Sequence, residues 1–115
     1  MADFKVSSRE QGQICIIDVG GYLDAHTASE LEKEFEKLIE DGQYKVVVNF
    51  SDLNYISSAG LGVFMAYVET MREHGGDIKF TNLKEDVYSI FNLLGFPILY
   101  EFFDQEEDAI KKFNQ

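Results

Sequence analysis

The residues best placed to do chemistry in this sequence are two adjacent serines, Ser57 and Ser58, followed at once by Ala59, Gly60, Leu61 and Gly62. A hydroxyl among small residues can attack a carbonyl, ligate a phosphate, accept one covalently or cap a helix, and its neighbours decide which. Nucleophilic use needs a base within hydrogen-bond reach, and no Gly-x-Ser-x-Gly elbow surrounds either serine. The two histidines, His26 and His74, fall at the start of one expected helix and the end of another. They are not spaced as a metal pair on one helical face, and His74 sits where a helix dipole favours positive charge. A phosphate cradle needs a Lys-Ser/Thr pair after its glycines, whereas Val63 and Phe64 follow Gly62. The acidic residues scatter without a calcium-loop or paired-carboxylate pattern. The sequence therefore predicts no catalytic residue, cofactor or metal, and a small hydrolase or nucleotide-binding enzyme is disfavoured for want of a base or a P-loop lysine. What remains is a serine pair at a strand-to-helix corner, where α/β sheets expose working groups. The structural alternative is a helix cap, worth about 0.5–2 kcal/mol.

The elements that must position these serines can be read from the apolar pattern. Phe4–Arg9 and Gln13–Val19 form strand-like runs around Gln11-Gly12, a hairpin, and Gly20-Gly21 breaks the second run. Thr27-Ala28-Ser29-Glu30 has the form of a capping box. The helix that follows carries Leu31, Phe35, Leu38 and Ile39 on one stripe and stops at Gly42. Tyr44–Phe50, rich in valine, reads as a central strand covered on both faces, ending in a polar turn at Ser51-Asp52. Ser58 to His74 places Leu61, Met65, Val68 and Met71 at helical spacing. A strand at Asp77–Thr81, a helix at Leu83–Leu94 stopped by Gly95, a short strand at Pro97–Phe102 and a second capping box at Asp104–Glu107 opening a last helix complete the chain. The order β-β-α-β-α-β-α-β-α implies an α/β fold, a mixed sheet of about five strands with about four helices and right-handed crossovers. At 115 residues and 45% hydrophobic, residues 1–115 are expected to form one domain with one core.

Composition narrows the partners. With 21 acidic and 10 basic residues the formal net charge is −11, and no basic cluster exceeds Lys111-Lys112. Nucleic acid and anionic membranes, which depend on basic side chains, are poor partners, and a basic protein surface is a better one. The same acidity would also keep a domain soluble. Cys15, the single cysteine, lies in the apolar run 14–17 and reads as a buried thiol. Met1 to Lys5 lacks the basic and apolar segments of a secretory signal, so the expected location is cytoplasmic.

Two segments together carry a resemblance. Asp52-Leu-Asn-Tyr-Ile-Ser-Ser-Ala-Gly-Leu-Gly62 resembles the signature of bacterial anti-sigma factor antagonists, Asp-Leu-x-x-(apolar)-(Asp or Ser)-Ser-x-Gly-Leu-Gly. Gly21-Tyr-Leu-Asp24 is similar to the Gly-x-Leu-Asp motif that precedes the first helix in that family. The resemblance implies a STAS domain, with the element order matched over nearly the whole chain and no room for an attached sensor, transporter or kinase domain. It also implies a phosphorylation site at Ser58, modified by a partner that is both anti-sigma factor and serine kinase and reset by a phosphatase of the PP2C type. Ser57 stands where the family often has Asp, which makes it the second candidate acceptor.

On these grounds Asp24, Asp52, Ser57, Ser58, Gly60 and Leu61 are the expected partner-binding residues, with Tyr55, Ile56, Leu61, Phe64 and Tyr67 divided between a docking patch and the core. Asp24 and Asp52 are expected to flank one end of the sheet, as loop-organising acids, partner contacts or local turn caps. Phosphoserine adds about −1.5 to −2 charge where a helix N-terminus accommodates an anion. The fold should then survive while a partner's surface loses affinity. The alternative function is a non-switching STAS scaffold in a larger signalling assembly, its serine only a cap.

Overall fold

The computed structural model describes residues 3–115. Five strands form one mixed sheet in the spatial order β1-β2-β3-β4-β5. Strand β1 (Phe4–Gln11) pairs antiparallel with β2 (Ile14–Leu23), and β3 (Lys45–Ile56), β4 (Asp77–Thr81) and β5 (Phe102–Phe103) follow in parallel. The connections are α1 (Ala28–Glu40), α2 (Ser58–Glu73), then α3 (Glu85–Leu93) with the short α4 (Phe96–Leu99), and α5 (Glu106–Phe113) closes the chain. The expected α/β architecture and mixed sheet are present, with one helix more than the sequence predicts.

Alternation along the strands sorts side chains onto two faces. Cys15, Ile17, Val46, Val48, Phe50, Ile78 and Phe80 point to one face and meet the buried sides of α1, α2 and α3. Ile14, Ile16 and Val47 point to the other, where Ala109 and Ile110 of α5 cover them. The main core is held by an aromatic cluster in which the rings of Phe50, Phe64, Phe80 and Phe91 lie 5.1–6.5 Å apart. Phe64 belongs to α2, so this cluster fixes the helix that begins with the serines. Burial pushes the Cys15 thiol up to about 11, consistent with an inert core position.

Several local expectations are corrected. The polar turn at Ser51-Asp52 is part of β3, which runs on to Ile56. There β3 gains residues on β2: Asp18 faces Asn49, yet Gly20 faces Asp52, and Leu23 faces Ile56. A bulge of this kind breaks the alternation, because Phe50 and Leu53, three residues apart, both enter the core. The Asn49 side chain takes up the Ser51 amide at 2.9 Å. Likewise β2 continues through Gly20-Gly21 to Leu23.

The strand expected at Pro97–Phe102 is instead a helical turn over Phe96–Leu99 and a two-residue strand. Gly95 takes φ +79°, a left-handed turn that glycine adopts without a Cβ penalty, and Pro97 sits in the first turn where its fixed φ suits a helix. Neither capping box forms. Thr27 makes no capping bond and its Oγ1 donates to the Tyr22 carbonyl at 2.9 Å, while α5 has Gln105 at its N-cap. Within α2, Met65 leaves the expected core stripe and is 58% exposed.

Candidate functional site

Two strand ends build the site. Strand β2 ends at Leu23 and β3 at Ile56, paired in parallel, so their C-terminal ends lie side by side. The chain leaves β2 through Asp24 into α1 and leaves β3 through Ser57 into α2. The Ser57 amide donates to the Leu23 carbonyl at 2.9 Å, which ties the two corners together. Asp24 does the capping expected of Thr27: its Oδ1 accepts from the amides of His26 at 2.9 Å and Thr27 at 3.2 Å, and its carbonyl accepts from Ala28 at 2.9 Å. A carboxylate in this position satisfies free amides and complements the helix dipole. The turn-cap reading of Asp24 therefore describes its geometry.

The two serines differ. Ser57 is the N-cap of α2, with extended backbone, and its half-buried hydroxyl accepts from the Gly60 amide at 3.5 Å. Ser58 is the first helical residue, exposed, and its hydroxyl makes no hydrogen bond among the described residues. Its amide and that of Ala59 belong to the first turn, whose N–H groups have no intrahelical acceptor. Thus one serine holds the helix end and its neighbour presents a free hydroxyl above it.

Gly60 is buried, and its place in the motif is steric. A Cβ there would stand 2.6 Å from Leu23 Cγ and 3.1 Å from Ile56 Cγ1, so glycine lets the helix start sit directly on the strand ends. Leu61, Ile56 and Phe64 are 3% exposed or less and belong to the core, which settles their half of the expected docking patch. Tyr55 is exposed and packs at 5.9 Å against Tyr22. Tyr67 is half-buried, stacked on Phe35, and its hydroxyl donates to Glu36 at 2.9 Å. Burial, then that hydrogen bond, pushes Tyr67 up to about 12.

Asp52 does not join the serines. It lies within β3 beside Gly20, on a separate polar hollow of about 510 Å³ lined also by Lys5, Asn54 and Lys84. The structure thus brings Asp24, Ser57, Ser58 and Gly60 to one corner and leaves Asp52 earlier on the strand. No group of His, Cys, Asp and Glu among the described residues could hold a metal ion. His26 and His74 are both exposed, and His74 stacks on Tyr44 at 4.1 Å.

Sequence reasoning missed an apolar surface beside Ser58. Met65 of α2, Leu93 and Leu94 at the end of α3, and Ile98 and Leu99 of α4 are all exposed. Together with buried Leu61 and Phe96, some of them line an open cleft of about 300 Å³ that includes Ser58. The signal was present in the leucine pair before Gly95 and the isoleucine after Pro97, but a strand reading of that segment hid it.

The parallel strands β2 and β3 thus end at a corner where an exposed serine, its hydroxyl without a hydrogen bond among the described residues, opens α2. The profile of the STAS domain matches residues 5–109, and the chain belongs to that family. It is 30% identical over 93 residues to BtrV of Bordetella bronchiseptica, described as an anti-sigma factor antagonist, covering 81% of this chain and 80% of that one. The crystal structure of an anti-sigma factor antagonist from Mycobacterium paratuberculosis superposes with TM-score 0.89 at 18% identity, covering 98% and 96% of the two chains. Bacillus SpoIIAA, an anti-sigma factor antagonist, has been solved unphosphorylated, with TM-score 0.73, and phosphorylated, with TM-score 0.71. Both are 20% identical to this chain, with 97% and 96% of it covered and 98% of each SpoIIAA chain. No helix of the described residues is long and apolar enough to cross a membrane.

Proposed function

We propose that this chain is a cytoplasmic anti-sigma factor antagonist switched at Ser58. The unmodified form binds an anti-sigma factor that is also a serine kinase and so frees a sigma factor. Phosphorylation of Ser58 by that partner ends binding, and a PP2C-type phosphatase restores it. The observation that carries this reading is the division of labour between the serines, since Ser57 caps α2 and Ser58 offers an exposed, unengaged hydroxyl. It favours Ser58 over Ser57 as the acceptor. The names of the similar proteins, and a SpoIIAA structure in phosphorylated form, support the same assignment.

The physics of the site suits a switch that leaves the fold alone. A phosphate on Ser58 adds about −1.5 to −2 charge beside free first-turn amides and the positive end of the helix dipole. It displaces no hydrogen bond, because the hydroxyl has none. A docked partner must instead desolvate that dianion against an acidic protein. A cost of about 3–4 kcal/mol lowers affinity more than a hundredfold. Asp24, Asp52, Ser57, Gly60 and Leu61 act in different ways in this proposal: Asp24 and Ser57 hold the corner, Gly60 and Leu61 seat α2, and Asp52 offers a second contact along β3.

The test mixes the purified chain with the host's candidate anti-sigma kinase and ATP and locates phosphate by mass spectrometry. Phosphate on Ser58, absent in Ser58→Ala, with release from the kinase, is expected. An active kinase that leaves Ser58 unmodified overturns the switch and favours a constitutive scaffold.

A further inference from the structure

One edge of the sheet is long and open. Among the described residues β1 has β2 on one side and no strand on the other, while the opposite edge, β5, offers only Phe102 and Phe103. The free ladder of β1 can be oriented group by group. The Tyr22 amide donates to the Asp3 carbonyl at 3.0 Å, and β1 continues along β2 in that register from Phe4 opposite Gly21 to Gln11 opposite Ile14. The alternation of an antiparallel ladder therefore turns the N–H and C=O groups of Lys5, Ser7, Arg9 and Gln11 toward β2 and those of Phe4, Val6, Ser8 and Glu10 outward.

Little blunts this edge. Proline, bulges and projecting charges are the usual protections, and β1 holds no proline and pairs with β2 without a bulge. Of its two cations, Lys5 lines the polar hollow beside Gly20, and Arg9 is drawn back over the sheet by Asp18 of β2 at 2.7 Å and Glu106 of α5 at 2.6 Å. Charge also favours approach here. In a chain of net charge −11, β1 is the only described element whose basic residues, Lys5 and Arg9, outnumber its acidic one, Glu10, so repulsion between two copies is least along it.

We propose that β1 pairs antiparallel with β1 of a second copy of this chain, joining the two sheets edge to edge. The sequence selects the register. A two-fold axis through Val6 sets Val6 against Val6, Phe4 against Ser8, Lys5 against Ser7 and Asp3 against Arg9, which pairs two β-branched residues and opposes no like charges. An axis through Ser7 would oppose Lys5 to Arg9, and one through Ser8 would set Glu10 beside Val6. In the Val6 register the outward groups of Phe4, Val6 and Ser8 exchange about six backbone hydrogen bonds. Residues 3–9 are fewer than the roughly 20–30 a side of a standard interface, so the pairing is weak and reversible. Each copy keeps its Ser58 corner clear of the contact, because α2 follows β3 and β2 lies between β3 and the edge.

The test is sedimentation equilibrium of the full-length chain over a range of concentrations. The wild type is expected to pass reversibly from monomer to dimer as concentration rises. Ser8→Pro removes an N–H that its own sheet does not use, so it should melt with the wild type while its dimer dissociation constant rises at least about tenfold. Val6→Lys and Val6→Glu each place like charges at the axis and should stay monomeric alone, whereas their equimolar mixture recovers the dimer. A wild type that is monomeric at every concentration, or a Ser8→Pro dimer as tight as that of the wild type, overturns the pairing. Folded Val6 variants that stay monomeric when mixed overturn the register centred on Val6.

Discussion

Replacing Gly60 with alanine should destabilise the protein although alanine is the better helix former. The added Cβ would lie 2.6 Å from Leu23 Cγ, 3.0 Å from Leu23 Cδ2 and 3.1 Å from Ile56 Cγ1, where ordinary carbon contacts are about 3.5–4.0 Å. Relief therefore needs a shift of roughly 1 Å. Neither neighbour can supply it freely, since Leu23 is 0% and Ile56 2% exposed, and α2 is fixed from behind by Phe64 in the aromatic cluster. Overpacking of this kind costs about 1–3 kcal/mol, against about 1 kcal/mol regained from helix propensity. The net expectation is a loss of up to about 2 kcal/mol. Gly62 provides the control in the same helix. Nothing lies within 4 Å of its Cβ position, so Gly62→Ala should gain about 0.5–1 kcal/mol. Urea unfolding midpoints at fixed slope read both. A Gly60→Ala variant stabilised to the same extent as Gly62→Ala would refute the argument that Gly60 is required for close approach.

Three further outcomes follow from the described contacts. Asp24→Ala should cost about 0.5–2 kcal/mol by uncapping α1, while Asp24→Asn recovers most of it, because asparagine caps nearly as well; thermal melts of both variants decide this. Lys79 is only 7% exposed in its side chain and pairs with Asp77 and Glu101, with its ammonium 4.6 Å from the Phe113 ring centroid. Lys79→Ala should therefore lose about 2–4 kcal/mol and Lys79→Met distinctly less, with equal losses arguing that the ion pairs and not the packing of the aliphatic stem matter. Glu106 is held below its ordinary value of 4.5, first by the hydrogen bond from Arg9 and then, against burial, by that from Asn49. A lowered carboxylate contributes stability above its unfolded value that is lost as pH falls through the folded one, so unfolding midpoints should drop below about pH 4.5. Glu106→Gln should be less stable at neutral pH and show a shallower acid limb.

The sequence made the site legible where local chemistry and spacing coincide. The Ser-Ser-Ala-Gly-Leu-Gly segment, the valine-rich centre of β3, the α1 stripe of Leu31, Phe35 and Leu38, and the β4 strand all stand where their periodicity places them. Failures occurred where a tertiary partner overrides the local pattern. Ser51 and Asp52 look like a turn because the bulge that accommodates them depends on β2 and on Asn49. Thr27 looks like a cap, but Asp24, three residues earlier, has the backbone geometry to reach both free amides. The apolar run Phe96–Leu99 has strand composition, and only the left-handed Gly95 before it turns two of its side chains outward.

One contact spans almost the whole chain. Arg9 forks onto Asp18 at 2.7 and 2.8 Å and onto Glu106 at 2.6 and 3.2 Å, and Glu106 also accepts from Asn49 at 2.8 Å. Arg9 and Glu106 are 97 residues apart in sequence, and α5, which Glu106 opens, is the element covering Ile14, Ile16 and Val47. During synthesis, then, the second face of the sheet stays bare until the last helix has left the ribosome. A nascent chain can assemble its first four strands and the helix bearing Ser58 beforehand, but with an uncovered aliphatic strip. That strip is where chaperones would hold it, and where truncated products would aggregate.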